Sequence, residues 1–351
     1  MNKITDWIKR HQIAAFFIIT FAITWGLGFS YDAVYKGQIL LIPLAFVATC
    51  GPALAGIIIT SVSNTQPRQG TRIASWIAFF VAWVVSALAF LANNKFINHA
   101  ALSPVMVGFT LVIVVPVAFV ISMAFSRIPA VRNYLSSLVR LRGVWGWAFL
   151  ALVMVPGLIL LSIPISSFLG RQPITSHQFP ETGWVLIGLI AVKFFYQFFF
   201  FNATGEEVGW RGFALPRLQS LTSPLIACLV MNIFWPLWHL FLWMAEGRSI
   251  FSPEYWGRTY LELLPATVTI GWLYNRSKGS ILVAGIAHAA ANTAFMFFPN
   301  LDWTVYNMTV SVAALMLIVV DRMWKKLPSD HPAVYQIPGL GEKNNVELSQ
   351  Q

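Results

Sequence analysis

Charge is scarce in this chain. Only 10% of its 351 residues are Asp, Glu, Lys or Arg, against roughly 25% in a soluble domain. With 57% hydrophobic residues, that shortage excludes a water-soluble globular protein and leaves an integral membrane protein. Cysteine is nearly absent. The two present, Cys50 and Cys228, each lie inside an apolar run with no CxxC neighbour, which excludes a disulfide framework and a thiolate metal site. There is no HExxH, no internal repeat, and no low-complexity tract beyond the run 198–201, read as lipid-facing or packing phenylalanines. A cleavable leader is not indicated. Lys3, Lys9 and Arg10 precede an apolar stretch from Ile13 to Ser30 that is too long for a signal core and lacks a clear small-residue cleavage pattern, so it reads as a retained first span.

What the chain does have is long apolar runs. Spans are predicted at 12–31, 38–63, 73–92, 103–125, 145–169, 182–203, 224–245, 260–275, 280–298 and 304–321, most near the ~20 residues that cross a bilayer. A bilayer admits helices or closed barrels, and continuous apolar runs of this length mean helices. The expected fold is therefore all-α, a polytopic transmembrane bundle of about ten spans with both termini cytoplasmic. Pro52, Pro116, Pro156 and Pro236 predict kinks within spans. The net charge of +10 sorts by loop: sixteen of the 23 Lys and Arg fall in segments on the N-terminal side, and five (Lys36, Lys95, Arg171, Arg248 and Arg258) in the opposite loops. That asymmetry follows the positive-inside rule. The basic excess thus reports topology and contact with anionic lipid, not nucleic acid. The expected location is a cell membrane, as a multi-pass protein of a bacterial plasma membrane. A basic loop at 126–144 separates a four-span region, 1–144, from a second membrane region, 145–325. Residues 326–351, with Pro328, Pro332 and Pro338, read as a polar, disordered cytoplasmic tail.

Against this background a few polar groups stand out. Gly205-Glu206-Glu207-Val208-Gly209-Trp210-Arg211-Gly212 places two carboxylates and an arginine at the end of an apolar run. Neighbours on a helix point about 100° apart, so the acids do different work. Glu207 and Arg211 are i,i+4 in the favourable order, whereas Glu206 has no local cation and suits a general base in a dry pocket. Two later spans carry one histidine each: His239, after Phe234-Trp235-Pro236-Leu237-Trp238, and His288, with Asn292 four residues on along the same face. Taken singly, the acids read equally well as a juxtamembrane helix start and each histidine as a buried structural group. Together on three spans they are costly to keep at membrane depth. Two chemistries fit. In one, Glu206 activates water, a histidine orients it, and His288 or Asn292 donates to the oxyanion. In the other, Glu206, His239 and His288 hold zinc, which acidifies a bound water. Lys193 and Gln197, also i,i+4, read as a structural polar pair. His11, His331, His99 and His177 lie in flanks and loops.

At these residues the chain resembles the CPBP family of CAAX proteases and bacteriocin-processing membrane proteins, whose motifs are EExxxR, FxxxH and HxxxN or HxxxD. Glu206, Glu207 and Arg211 match the first. His239 matches the second, with Trp235 where the family usually has Phe. His288 and Asn292 match the third. The resemblance covers roughly residues 180–300 and leaves the first four spans without motif support. It implies that 145–325 is the catalytic membrane core of an intramembrane endopeptidase, glutamate-dependent or, in descriptions of members as metalloproteases, zinc-dependent. It further implies Glu206 as the base that activates water, His239 as its partner, His288 and Asn292 at the oxyanion, and Glu207 and Arg211 as supports. The substrate class implied is a membrane-associated peptide, prenylated or leader-type, with membrane lipid as the other partner and no cofactor required. Two other functions compete: a non-catalytic immunity or scaffold protein that binds a peptide, and a proton-coupled transporter with Glu206, Glu207 and Lys193 as a relay.

Overall fold

The computed structural model describes residues 3–335 except 172–178, 248, 250 and 299. Among these residues all regular structure is helical, as the hydrocarbon interior demands of backbone that has no water to bond. Each of the ten expected spans coincides with helix, but fewer are long and apolar enough to cross a bilayer. Seven qualify, or eight if the pair Ile42–Thr49 and Gly51–Ser63 counts as one broken span. The other two expected spans differ in kind. Ile281–Phe297 has 17 residues, or about 26 Å of helix, short of the ~30 Å hydrocarbon core. Pro253–Arg276 has 24 residues but includes Glu254, Arg258 and Glu262, which lower its apolar character.

The prolines act unequally. The helix axis bends 59° between Ile42–Thr49 and Gly51–Ser63, at Pro52. Pro104–Ile113 gives way to Val115–Ser122 just before Pro116, where the missing N–H and the ring preclude a regular ladder. Pro156 is carried inside the continuous helix Trp145–Phe168.

The largest departure from expectation concerns the acidic stretch. The span predicted to end at 203 continues as helix, so that Gly183–Leu221 forms one helical rod of 39 residues. Glu206, Glu207, Arg211 and Arg217 are therefore buried helix residues, and the two arginines do not belong to a loop as the charge count assumed. Within the rod, Phe198–Glu207 and Trp210–Ala214 are π-helical, a wider i→i+5 winding frequent at functional sites. Three glycines interrupt this stretch, each costing about 1 kcal/mol of helix propensity. Close packing explains their presence. A Cβ on Gly209 would lie 2.4 Å from the carbonyl carbon of Pro52, and one on Gly205 would lie 3.0 Å from the carbonyl oxygen of Thr49. The bend at Pro52 thus docks against a glycine face of the acid-bearing helix. On another side Gly285 of Ile281–Phe297 approaches so closely that its Cβ would lie 2.5 Å from that of Ala203. The N-terminal region, which has no motifs, is what clamps the helix that has them.

Aromatic packing completes the clamp. Phe16 of the helix Gln12–Gly26 stacks on Phe213 at 5.2 Å and meets Trp210 edge-on at 5.5 Å. Phe200, in the phenylalanine run, is fully buried against Phe46 and Phe90. Cys50 and Cys228 are free and buried. The segment after the last helix is more ordered than its composition suggested. Tyr335 N–H bonds the Pro216 carbonyl at 3.0 Å, Gln219 donates to the Ala333 carbonyl at 2.8 Å, and Ala333 is fully buried. Prolines there exclude helix without excluding contact, so the expectation of a disordered tail fails for 326–335. Residues 336–351 lie outside the described residues.

Candidate active site

The acid pair divides as its helical offset requires. Glu207 is fully buried, and its Oε1 accepts from Arg211 Nη1 and from His288 Nδ1, both at 2.8 Å. Arg211, 1% exposed, also lies over the Trp235 ring, 4.3 Å from its centroid. A buried carboxylate and guanidinium in such contact are held by mutual attraction against a large desolvation cost. Since an ionised carboxylate only accepts, the Nδ1 of His288 carries a hydrogen. Glu207 thereby fixes the orientation of His288 across 81 residues of sequence.

Glu206 has different neighbours. Its Oε2 accepts from Trp235 Nε1 at 2.7 Å and faces His239 Nε2 at 3.9 Å. That second separation is too long for a direct hydrogen bond and suits one bridging water. The local backbone explains why His239 faces this way. Pro224–Trp238 ends at His239, three residues after Pro236. There the His239 N–H bonds the Pro236 carbonyl at 3.0 Å, a tightened i→i+3 turn. The Trp235 carbonyl, which would have taken that N–H in a regular helix, instead accepts from His239 Nδ1 at 2.8 Å. A carbonyl only accepts, so Nδ1 carries a hydrogen, and Nε2 is the nitrogen turned toward Glu206.

Trp235 is thus the hub. Its indole N–H holds Glu206, its carbonyl holds His239, its face stacks on Arg211, and its ring stands perpendicular to His288 at 5.3 Å. A phenylalanine at 235 would keep the last three contacts and lose the first.

Glu206, His239 and His288 therefore converge from three helices. His288 and the half-buried Asn292 line a cavity of about 200 Å³ with Trp235, and His239 lines a neighbouring one of about 250 Å³. Both cavities are bounded by Glu262 and Leu263. Glu262, which accepts from Asn307 at 3.0 Å, is a carboxylate that sequence reasoning passed over. The signal was available, because any acid in an apolar helix invites a functional question. Lys193 stays apart, its ammonium 5.0 Å from the Tyr196 ring. The remaining histidines have local surroundings: His11 packs on Trp7, His99 is exposed, and His331 Nδ1 accepts from Ala333 N–H at 3.1 Å. His177 lies outside the described residues.

The donor set does not fit zinc. Among the described residues no three His, Cys, Asp or Glu side chains are grouped so as to ligate one ion. Of the three ligands considered, His288 and His239 hold Nδ1 on Glu207 and on the Trp235 carbonyl, which leaves each Nε2 free, so the misfit lies in the grouping and not in occupied donors. No step is derived through a metal.

Residues 183–294 match the family described as type II CAAX prenyl endopeptidase Rce1-like. The matched stretch opens on the first turn of the acid-bearing helix and closes two residues after Asn292, so it contains every residue of the cluster. CAAX prenyl protease 2 of Methanococcus maripaludis is 33% identical over 145 residues, a match that covers 40% of this chain and 52% of that protein. The chain thus spans about half the length of that relative.

Proposed function

The chain belongs to the CPBP family through this Rce1-like CAAX prenyl endopeptidase region, and from that premise we propose that it hydrolyses a peptide bond in a membrane-associated, prenylated or leader-type peptide, as a multi-pass enzyme of the cell membrane. The observation that carries this reading is the facing pair Glu206 Oε2 and His239 Nε2, 3.9 Å apart, with each partner pinned by Trp235. A water about 2.8 Å from each atom would hydrogen-bond to both. Its lone pair then points away from both toward a scissile carbonyl.

Glu206 takes a proton from this water as its oxygen bonds to the carbonyl carbon. His239 receives the other hydrogen bond of the water and orients it. The carbonyl oxygen becomes an oxyanion, stabilised by the Asn292 amide and by a hydrogen bond from His288 Nε2–H, with Glu207 holding Nδ1. The carbon–nitrogen bond then breaks, and the leaving nitrogen takes the proton back from Glu206. Proton and electron pairs balance with no further reactant. Glu207 and Arg211 act through His288 and Trp235 and are positioning residues.

The test is Glu206→Gln, which keeps size and hydrogen bonding and removes the base. Purified in detergent, this variant should unfold at the wild-type temperature and lose cleavage of a farnesylated CAAX peptide by at least ~100-fold. A comparison of cells carrying wild type or variant should show one membrane-associated peptide left uncut. Cleavage at the wild-type rate would remove Glu206 from the chemistry.

A further inference from the structure

At the basic end of the bundle, apart from the acid and histidine cluster, lies a second polar cavity of about 440 Å³. Thr60, Tyr134, Ser137, Arg140, Arg217 and Lys278 supply its polar wall, and none of its lining residues is acidic. Arg217 forms the floor and is 2% exposed. Its guanidinium is sandwiched between the rings of Phe213 and Tyr335, at 3.5 and 3.7 Å, and donates to neutral oxygens, among them Gln12 Oε1 at 2.8 Å and the Phe213 carbonyl at 3.0 Å. Among the described residues neither it nor Arg140 nor Lys278 forms an ion pair. A buried guanidinium without a counter-charge is an expensive arrangement. An anion in the cavity would remove the imbalance.

A second observation points to a ligand independently. Thr60 is 5% exposed and lines this cavity, yet its hydroxyl has no protein partner. The cavity therefore combines three cations with an unpaired buried hydroxyl and other side-chain hydroxyls, the set that recognises a phosphate. Its surroundings identify the source. Arg140 is exposed at its mouth, and next to it Val139, Leu141 and Trp145 are 41%, 52% and 73% exposed, an apolar strip suited to lipid chains with a tryptophan at headgroup depth.

We propose that this cavity binds the phosphate of an anionic phospholipid, with Arg217 and Thr60 at its floor and Arg140 and Lys278 at its mouth. Its walls are the supports of the cluster described above. The Tyr134 hydroxyl donates to the Val208 carbonyl, one residue after Glu207, and Ser137 Oγ accepts from the N–H of Ile281, at the start of the helix that carries His288. An occupant would therefore brace both helices.

Native mass spectrometry of the full chain, titrated with phosphatidylglycerol or phosphatidylcholine, tests the proposal alongside thermal unfolding with and without inorganic phosphate. Phosphatidylglycerol should be retained in preference to phosphatidylcholine. The mouth variant Arg140→Ala/Lys278→Ala should bind it roughly 30-fold more weakly, from about fivefold per lost surface cation. Arg68→Ala/Arg72→Ala removes the same charge from exposed positions at the basic end and should bind as wild type does. Thr60→Val should weaken retention with no change of charge. If inorganic phosphate raises the unfolding temperature through Arg140 and Lys278 while neither lipid is preferred, the site is a phosphate site with a soluble source, and the lipid is overturned. If the mouth variant and the Arg68/Arg72 variant lose phosphatidylglycerol equally, the attraction is diffuse and the site is overturned.

Discussion

Trp235→Phe is the most informative single change. It deletes the N–H that reaches Glu206 Oε2 at 2.7 Å and keeps an aromatic face for Arg211, now 4.3 Å from the ring centroid. It also leaves the backbone carbonyl that orients His239. A hydrogen bond to a charged group contributes about 1.5–3 kcal/mol. If that contact holds the base on its water, its loss should lower kcat roughly 10- to 100-fold, at 1.36 kcal/mol per decade. KM should stay within about threefold, because the lost bond is to the base and not to the substrate. Trp235 is only 1% exposed, so the smaller ring also leaves a void that costs about 1–2 kcal/mol of stability. Steady-state hydrolysis of a farnesylated CAAX peptide in micelles, with thermal unfolding on the same preparation, separates the two effects. An unchanged kcat in a folded Trp235→Phe protein would refute the reasoning: the indole N–H would then be a bystander, and phenylalanine, the residue usual in the family at this position, would serve as well.

Three further outcomes are expected. Glu207→Gln strands the buried Arg211 guanidinium and loosens His288, so it should destabilise the protein by about 3–5 kcal/mol; a reversible-unfolding difference under ~1 kcal/mol would mean the pair contributes little. Gly209→Ala forces a methyl to within 2.4 Å of the Pro52 carbonyl carbon, and such overpacking typically costs about 1–3 kcal/mol; a variant with wild-type unfolding temperature and turnover would show that the bend at Pro52 does not clamp the acid-bearing helix. A zinc chelator should leave hydrolysis intact, because among the described residues no three His, Cys, Asp or Glu side chains are grouped so as to hold one ion; activity lost on chelation and restored by zinc would overturn the glutamate mechanism.

Much of the candidate site was legible because its residues are so expensive where they stand. Glu206, Glu207, Arg211, His239, His288 and Asn292 interrupt runs that otherwise belong in hydrocarbon, and the i,i+4 spacing of Glu207 and Arg211 announces the ion pair that forms at 2.8 Å. Their joining was not legible. Nothing in a sequence without homologues says that Glu207 reaches His288, or that Trp235 donates to Glu206. Such contacts arise from helix crossings that bring residues 81 and 29 positions apart into hydrogen-bond range. The end of the acid-bearing helix was misjudged for a related reason. Hydropathy falls after Ala203 and suggests the end of the span, whereas the backbone stays helical to Leu221 because burial against Pro52, Phe16 and Gly285 offsets the glycines.

Composition by itself decided the solvent, and the solvent decided the class of fold: a chain with so few charges and such long apolar runs must satisfy its backbone within helices. Motif spacing decided which side chains were unusual. Only the tertiary structure decided that the two glutamates face different partners, that a tryptophan ties Glu206 to His239, and that the N-terminal helices hold the acid-bearing one in place. The reason is that periodicity is a property of one helix, whereas a site is a property of the distances between several.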